Sequence, residues 1–267
     1  MMKTRIKYAV RQLLPRSWLQ PLLRLKYRGR QLPRAADYVQ ALKGQCGIEI
    51  GGPSLAFQVF IPLYPELAGL DGVNFSEQTT WEGHITEARP FRYGKDRVGK
   101  QWIAEASSLP ALGNERYDFV ISSNCLEHVA NPIKALEEWL RIVRPGGHLL
   151  LVLPNQASNF DHRRPVTRFE HLLEDHRHGV GEDDLTHLPE ILALHDGSRD
   201  AGSPSPEAFR ERSLKNHENR CLHHHVFDPE LMAALCRHLQ LELVRSDSSA
   251  SDHFMLARKP VSTGPQP

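Results

Sequence analysis

Ten of the fifteen histidines fall between residues 162 and 225, and their neighbours decide what chemistry they can offer. His162 follows Asp161 soon after an apolar run. His171, Asp175 and His178 stand at i, i+4 and i+7, and His223, His224 and His225 lead into Val226-Phe227. One more, His128, stands apart in the segment LEHV. A neutral imidazole titrates near physiological pH, so each is a candidate general base, with His162, His171 and His128 foremost. The i, i+4, i+7 spacing puts two imidazoles and a carboxylate on one helical face, an arrangement that can also ligate a divalent metal. No HExxH or comparable signature accompanies it, so no resident metal is expected. For each histidine the plainer reading is a solvated or internally hydrogen-bonded side chain. Arg163, Arg164 and Arg168 suit an anionic acceptor, or equally open solvent.

A second stretch, GIEIGGPS (Gly47 to Ser54), poses a different question. An apolar run ends in Glu49, and Gly51, Gly52 and Pro53 follow. In an open α/β sheet, ligands bind beyond the carboxyl ends of the strands. Glycine there lets backbone approach a ligand with no Cβ between them. A carboxylate at that point suits a cationic group, as on an amino-acid-bearing nucleotide, and repels a pyrophosphate. The pattern is not GxGxxG, which counts against a dinucleotide. A tight strand-to-helix turn with an exposed acid is the competing reading.

The surrounding elements have to hold these groups. QCGIEI (45–50), VNFS (73–76), QWIAEA (101–106), YDFVISS (117–123) and HLLLVLP (148–154) read as five strands. Between the last two, Asn131 is a candidate N-cap and Pro132 suits the first helical position. Ile133, Leu136, Leu140 and Val143 share a face, and Pro145-Gly146-Gly147 is expected to stop the helix. Strand, helix, strand at this spacing is a βαβ unit with parallel pairing. Residues 156–227 are polar and rich in turn signals. In them Thr167 and Glu170 make a capping-box pattern and Gly179 a helix stop. Residues 228–240 read as an amphipathic helix, and 241–247 and 252–259 as a final strand pair.

The block Ala104 to Asn155, AEASSLPALGNERYDFVISSNCLEHVANPIKALEEWLRIVRPGGHLLLVLPN, resembles the class I S-adenosylmethionine-dependent methyltransferases, in the small-molecule group with an LEH segment after the fourth strand. The resemblance spans roughly residues 45–155, with weaker support from 228–259. It implies a doubly wound, mostly parallel seven-stranded α/β sheet with helices on both faces, here with an N-terminal helical arm and a polar insert after the fifth strand. It implies S-adenosyl-L-methionine as cofactor. Glu49, Gly51, Gly52 and Pro53 match the loop that holds its methionine part. Asn74 stands where the family usually has an acid for the ribose hydroxyls, a departure that Glu77 could offset. Glu105 and Ala106 match the adenine positions, and Asn124 and Cys125 line the cofactor below the methyl group. The implied organisation is a basic arm (1–44), a cofactor core (45–155), an acceptor-side lid (156–227), a helix with the last two strands (228–260) and a tail (261–267). The implied reaction is methyl transfer to a small molecule or glycan, at oxygen in view of the base-rich insert.

Composition narrows the alternatives. Nine Lys and Arg and no acid lie in residues 1–30, expected as two helices at 3–14 and 17–29, so the rest of the chain carries 24 basic against 32 acidic residues. Such an arm suits an anionic membrane surface, or is simply a solvated helical face. There is no apolar run of about 18 residues for a membrane span and no evident secretory leader. The four cysteines form no CxxC pair, so they read as reduced thiols in a cytoplasmic protein, peripheral at the inner membrane surface if the arm binds there. A nicotinamide-dependent oxidoreductase lacks its fingerprint here. A nucleic-acid methyltransferase lacks its catalytic tetrapeptide after the fourth strand, where NCLE stands, so no nucleic-acid partner is expected. A non-catalytic nucleotide-binding module on the same fold is the remaining alternative.

Overall fold

The computed structural model of the chain describes residues 32–79, 83–200, 202 and 205–261. The basic segment 1–30 and all but the first residue of the 261–267 tail lie outside them. Seven strands build one sheet: β1 (Cys46–Ile50), β2 (Gly69–Asn74), β3 (Gln101–Ile103), β4 (Tyr117–Ser123), β5 (Val143–Pro154), β6 (Glu242–Ser248) and β7 (Asp252–Arg258). Their order across the sheet is β6-β7-β5-β4-β1-β2-β3. All pairs from β5 to β3 are parallel. The last strand turns back, so β7 lies antiparallel to both β5 and β6. The expected doubly wound sheet is the observed one.

Its burial follows from a period of two on strands covered on both faces. Along β5, Leu149, Leu151 and Leu153 join the core on one face, while Leu150 and Val152 join the core on the other. Helix α1 (Ala35–Leu42) and the turns at 56–66 cover the second face, with Tyr38, Leu42 and Phe57 buried. Helices α2 (Pro132–Ile142), α3 (Phe169–His178) and, beyond the insert helices α4 (Leu188–Leu194) and α5 (Pro206–Leu214), α6 (Pro229–His238) belong to the first. On α2 the fully buried Trp139 also donates Nε1–H to the Ala106 carbonyl at 2.8 Å, tying that helix to the loop after β3. Its truncation to alanine costs about 3–5 kcal/mol.

Local signals held at α2 and broke at α3. Asn131 Oδ1 accepts the Lys134 amide at 3.1 Å, with Pro132 at the first helical position. The helix ends at Ile142, before Pro145-Gly146-Gly147, because the chain already extends into β5 at Val143. The capping box at Thr167 and Glu170 does not form. The cap position is Arg168, with no side-chain cap bond, because Thr167 pairs with Val226 instead, through its backbone N–H at 2.9 Å and its Oγ1 at 3.0 Å. Gly179 does end α3, in the left-handed conformation at φ 63°. β2 lies earlier than 73–76 implies, starting at Gly69 and closing at Asn74, and β3 is shorter than 101–106, closing at Ile103, so 75–76 and 104–106 are loop at the sheet's carboxyl edge. The insert has a small core of its own, Leu188, Ile191, Phe209 and Leu222. Among the described residues no helix is long and apolar enough to cross a membrane.

Candidate active site

Five parallel strands end at one edge, and a cavity of about 690 Å³ opens there. Its wall takes Ile50 and Gly51 after β1, Asn74 and Phe75 after β2, Ala104 to Ala106 after β3, Ser123 to Cys125 after β4, and Pro154 from β5. The antiparallel β7 starts at this same edge, with Asp252 opposite Pro154, so Asp252 joins the wall. The insert closes the rest with Asn159, Glu182 and Arg220.

Glu49 stands behind this wall, not on it. Its carboxylate is fully buried and accepts from the Ser54 amide (3.0 Å), the Ser54 hydroxyl (2.7 Å) and the Tyr64 hydroxyl (2.7 Å). A Cβ on Gly52 would sit 2.1 Å from the Glu49 Cδ. That glycine therefore makes room for the acid, not for a ligand. The acid braces the loop that presents Gly51, Pro53 and Ser54 to the cavity. Gly51 adopts φ 81°, a conformation open to glycine. Asn74 is buried and holds the same loop, donating to the Gly52 carbonyl at 3.1 Å. Glu77 is exposed and outside the wall, so it does not stand in for an acid at Asn74.

The wall carries three acids, Glu105, Glu182 and Asp252, against one guanidinium. That guanidinium, Arg220, reaches from the insert to Glu105 at 2.6 Å and lies over the Phe75 ring at 5.1 Å. Burial pushes Glu182 up to about 7, although Arg220 pulls the other way. Burial likewise raises Asp252, against the hydrogen bonds from Ser251 and Asn124. Cys125, on the wall, is pushed up to about 12 by burial and then by Glu127, so it is a neutral thiol.

Of the candidate bases, the structure brings His128 alone to the cavity wall. Its Nδ1 lies 3.0 Å from the Leu222 carbonyl, which can only accept, so Nδ1 carries the proton and Nε2 the lone pair. Burial, then the neighbouring His223, holds its pKa well below the ordinary imidazole value. Next to it Glu127 is buried, 3.9 Å from His128 Nε2, with neither carboxylate oxygen hydrogen-bonded among the described residues. Burial pushes Glu127 up to about 7, with His223 drawing it down. His223 in turn holds Asp161 at 2.5 Å. Burial disfavours charge on both members of that pair. Their mutual hydrogen bond outweighs it, leaving Asp161 lowered and His223 raised.

His162 and His171 lie elsewhere. Asn159 still lines the cavity, but His162, three residues on, is off the wall, and its Nε2 pairs with Asp196 at 2.9 Å. His171 faces His187 and Asp175 inside the insert, while His178 is exposed. Sequence reasoning had also passed over Glu127, Glu182, Arg220 and Asp252, and had noted Asp161 only beside His162.

A parallel sheet with an acid-lined cavity at its carboxyl edge defines a nucleotide-cofactor protein of Rossmann-like build. The profile of the family described as "Methyltransferase domain" matches residues 36–246, and the chain belongs to that family. Among solved structures it is similar to a methyltransferase dependent on S-adenosylmethionine from Mesorhizobium loti, at 14% identity and TM-score 0.49 over 85% of this chain and 96% of that one. One from Methanosarcina mazei shows 14% identity and TM-score 0.48 over 87% and 100%. The N-methyltransferase NodS from Bradyrhizobium japonicum shows 13% identity and TM-score 0.44 over 85% and 94%. No curated protein matches the chain.

The cofactor of such a protein is S-adenosylmethionine, and the wall fits it. Ile50, Val73, Phe75, Ala104 and Ala106 offer apolar surface for a base, and Asn74 and Ser123 offer groups for hydroxyls. The three acids suit a ligand with ammonium and sulfonium charges. A pyrophosphate would face them directly, which is the electrostatic case against a dinucleotide.

Proposed function

We propose that the chain methylates a small molecule or glycan at a hydroxyl oxygen, with His128 as the general base. The observation that carries this reading is the fixed tautomer of His128: a neutral imidazole on the cavity wall whose Nε2 lone pair is not committed to the Leu222 carbonyl. The loop Gly51-Gly52-Pro53, braced by Glu49 and Asn74, holds the amino-acid end of the cofactor. Glu105 and Ala106 take the base end, and Asn124 and Cys125 lie beneath the reacting centre. When bound, the cofactor supplies an electrophilic methyl on a sulfonium, so the protein's task is to orient the acceptor and remove its proton. His128 accepts the hydroxyl proton at Nε2. The resulting imidazolium is stabilised by the Glu127 carboxylate 3.9 Å away. Arg220 and Asn159 shape the acceptor side, where the polar insert meets the core.

The test has two steps. Release of S-adenosylhomocysteine is screened with phenols, hydroxy acids and glycans as acceptors, beside amines as a contrast. With the best acceptor, His128→Asn should lower kcat by roughly 10²–10⁴ while cofactor affinity by calorimetry stays within about threefold. Transfer confined to amines would overturn the choice of oxygen. An unchanged kcat in the variant would remove His128 from the base role.

A further inference from the structure

Away from the cavity, four side chains from three separate segments of the insert converge. His171 and Asp175 come from α3, His187 from the loop before α4, and His225 from the stretch that runs into α6. One ligand atom from each lies within 4.8 Å of every other. We propose that these residues hold a zinc ion that staples the insert together.

Two of the ligand pairs stand near the spacing of a coordination sphere. Four nitrogen or oxygen ligands about 2.0–2.1 Å from a tetrahedral zinc lie roughly 3.3–3.4 Å from one another. Here His171 Nε2 is 3.0 Å from His187 Nε2 and 3.3 Å from Asp175 Oδ2. Two observations separate this from an ordinary polar network. Asp175 is 6% exposed, and its Oδ2 has no hydrogen bond among the described residues. His225 is 1% exposed, with Nε2 3.8 Å from Asp175 Oδ2 and 3.1 Å from the Ala130 carbonyl, and its Nδ1 has no hydrogen bond among the described residues. Buried groups left without partners are otherwise costly.

The insert also needs such a staple. Its own core has four buried side chains, Leu188, Ile191, Phe209 and Leu222. Small cores of this kind commonly rely on a metal or disulfides, and all four cysteines are free. Three imidazoles and one carboxylate would fill a tetrahedral zinc with no open position, which is the form of a structural zinc site. The ion's place in the chain links it to the active site, since His225 is three residues from Leu222, whose carbonyl orients His128. The absence of an HExxH pattern is no obstacle: two of the ligands are local on α3 and two are brought in by the fold.

The experiment uses untagged full-length protein purified without chelator. Metal analysis should find roughly one zinc per chain, and the metal-free protein should take up cobalt(II) with the visible absorption of a tetrahedral site. Chelation should lower the melting temperature by roughly 5–10 °C, with zinc restoring it. His187→Ala, at a partly exposed position, and the near-isosteric Asp175→Asn should both lose the ion. His178→Ala, on the same helix but outside the set, should keep it. Protein that is metal-free, takes up neither zinc nor cobalt and melts alike with or without chelator would overturn the proposal. So would a zinc retained in full by His187→Ala and Asp175→Asn.

Discussion

Gly52→Ala tests whether Glu49 braces the loop after β1 that is proposed to hold the cofactor. The added Cβ would lie 2.1 Å from the Glu49 Cδ and 2.5 Å from both carboxylate oxygens. Ordinary carbon contacts need about 3.5 Å or more, so one side must give by more than about 1 Å. The acid has no slack, since it is fully buried and held by Ser54 and Tyr64 at 2.7–3.0 Å. Overpacking of this kind costs about 1–3 kcal/mol, and loss of one hydrogen bond to the charged group adds about 1.5–3 kcal/mol. The sum, about 2.5–6 kcal/mol, is below the middle of the range for a domain, about 5–15 kcal/mol, so the variant should fold with its loop displaced. A displaced loop should weaken S-adenosylhomocysteine binding by about tenfold or more, the equivalent of one lost hydrogen bond of about 1.5 kcal/mol. Urea denaturation and calorimetry read the two effects. Combining Gly52→Ala with Glu49→Ala removes the clash, so the double-mutant cycle should show at least about 1.5 kcal/mol of coupling. An equal cost of Gly52→Ala in both backgrounds would refute the steric reasoning. Wild-type affinity in the single variant would show that this loop does not hold the cofactor.

Two more outcomes follow from the insert's contacts with the core. Glu182 is an acid raised to about 7 by burial, from an ordinary value of 4.5. The folded protein therefore binds more protons than the unfolded chain between those values, and this group's penalty is absent below pH 4.5, grows up to about 7 and is constant above. Glu182→Gln should gain stability over wild type across that window and hold a constant lead above it; a lead independent of pH would contradict the assignment. Arg220→Ala removes the bond to Glu105 and, from a side chain only 11% exposed, the bonds to the Asn216 and His217 carbonyls, so stability should fall by about 1–3 kcal/mol. Amide exchange across 216–222 should quicken by about tenfold as the insert loses its strap to the core, and unchanged protection would show that Arg220 does not hold it.

What could be read from the chain follows the range over which its residues act. The sheet was legible because apolar runs, Asn131-Pro132 and the strand-end Gly51, Asn74 and Glu105 are local signals tied to the carboxyl edge, where ligands of such sheets bind. His162 misled because nearness to a strand end in sequence was taken for nearness in space: Asn159 reaches the cavity, but His162 pairs with Asp196 off its wall. Arg220, Glu182 and Asp161 left no local signal, since each gains its meaning from a partner far away in sequence: Glu105, Ala130 and His223. Asp252 had one that went unused: a reversed last strand must begin where the parallel strands end. Glu49 shows the subtler case. Its type and position were noticed, but the close contact with Gly52 turns it from a ligand group into the support of one. An acid placed just before a bare glycine turn can thus be asked two questions from sequence alone, what it binds and what it props up. Gly52→Ala separates the answers, because only a prop is evicted by a methyl group on its own loop.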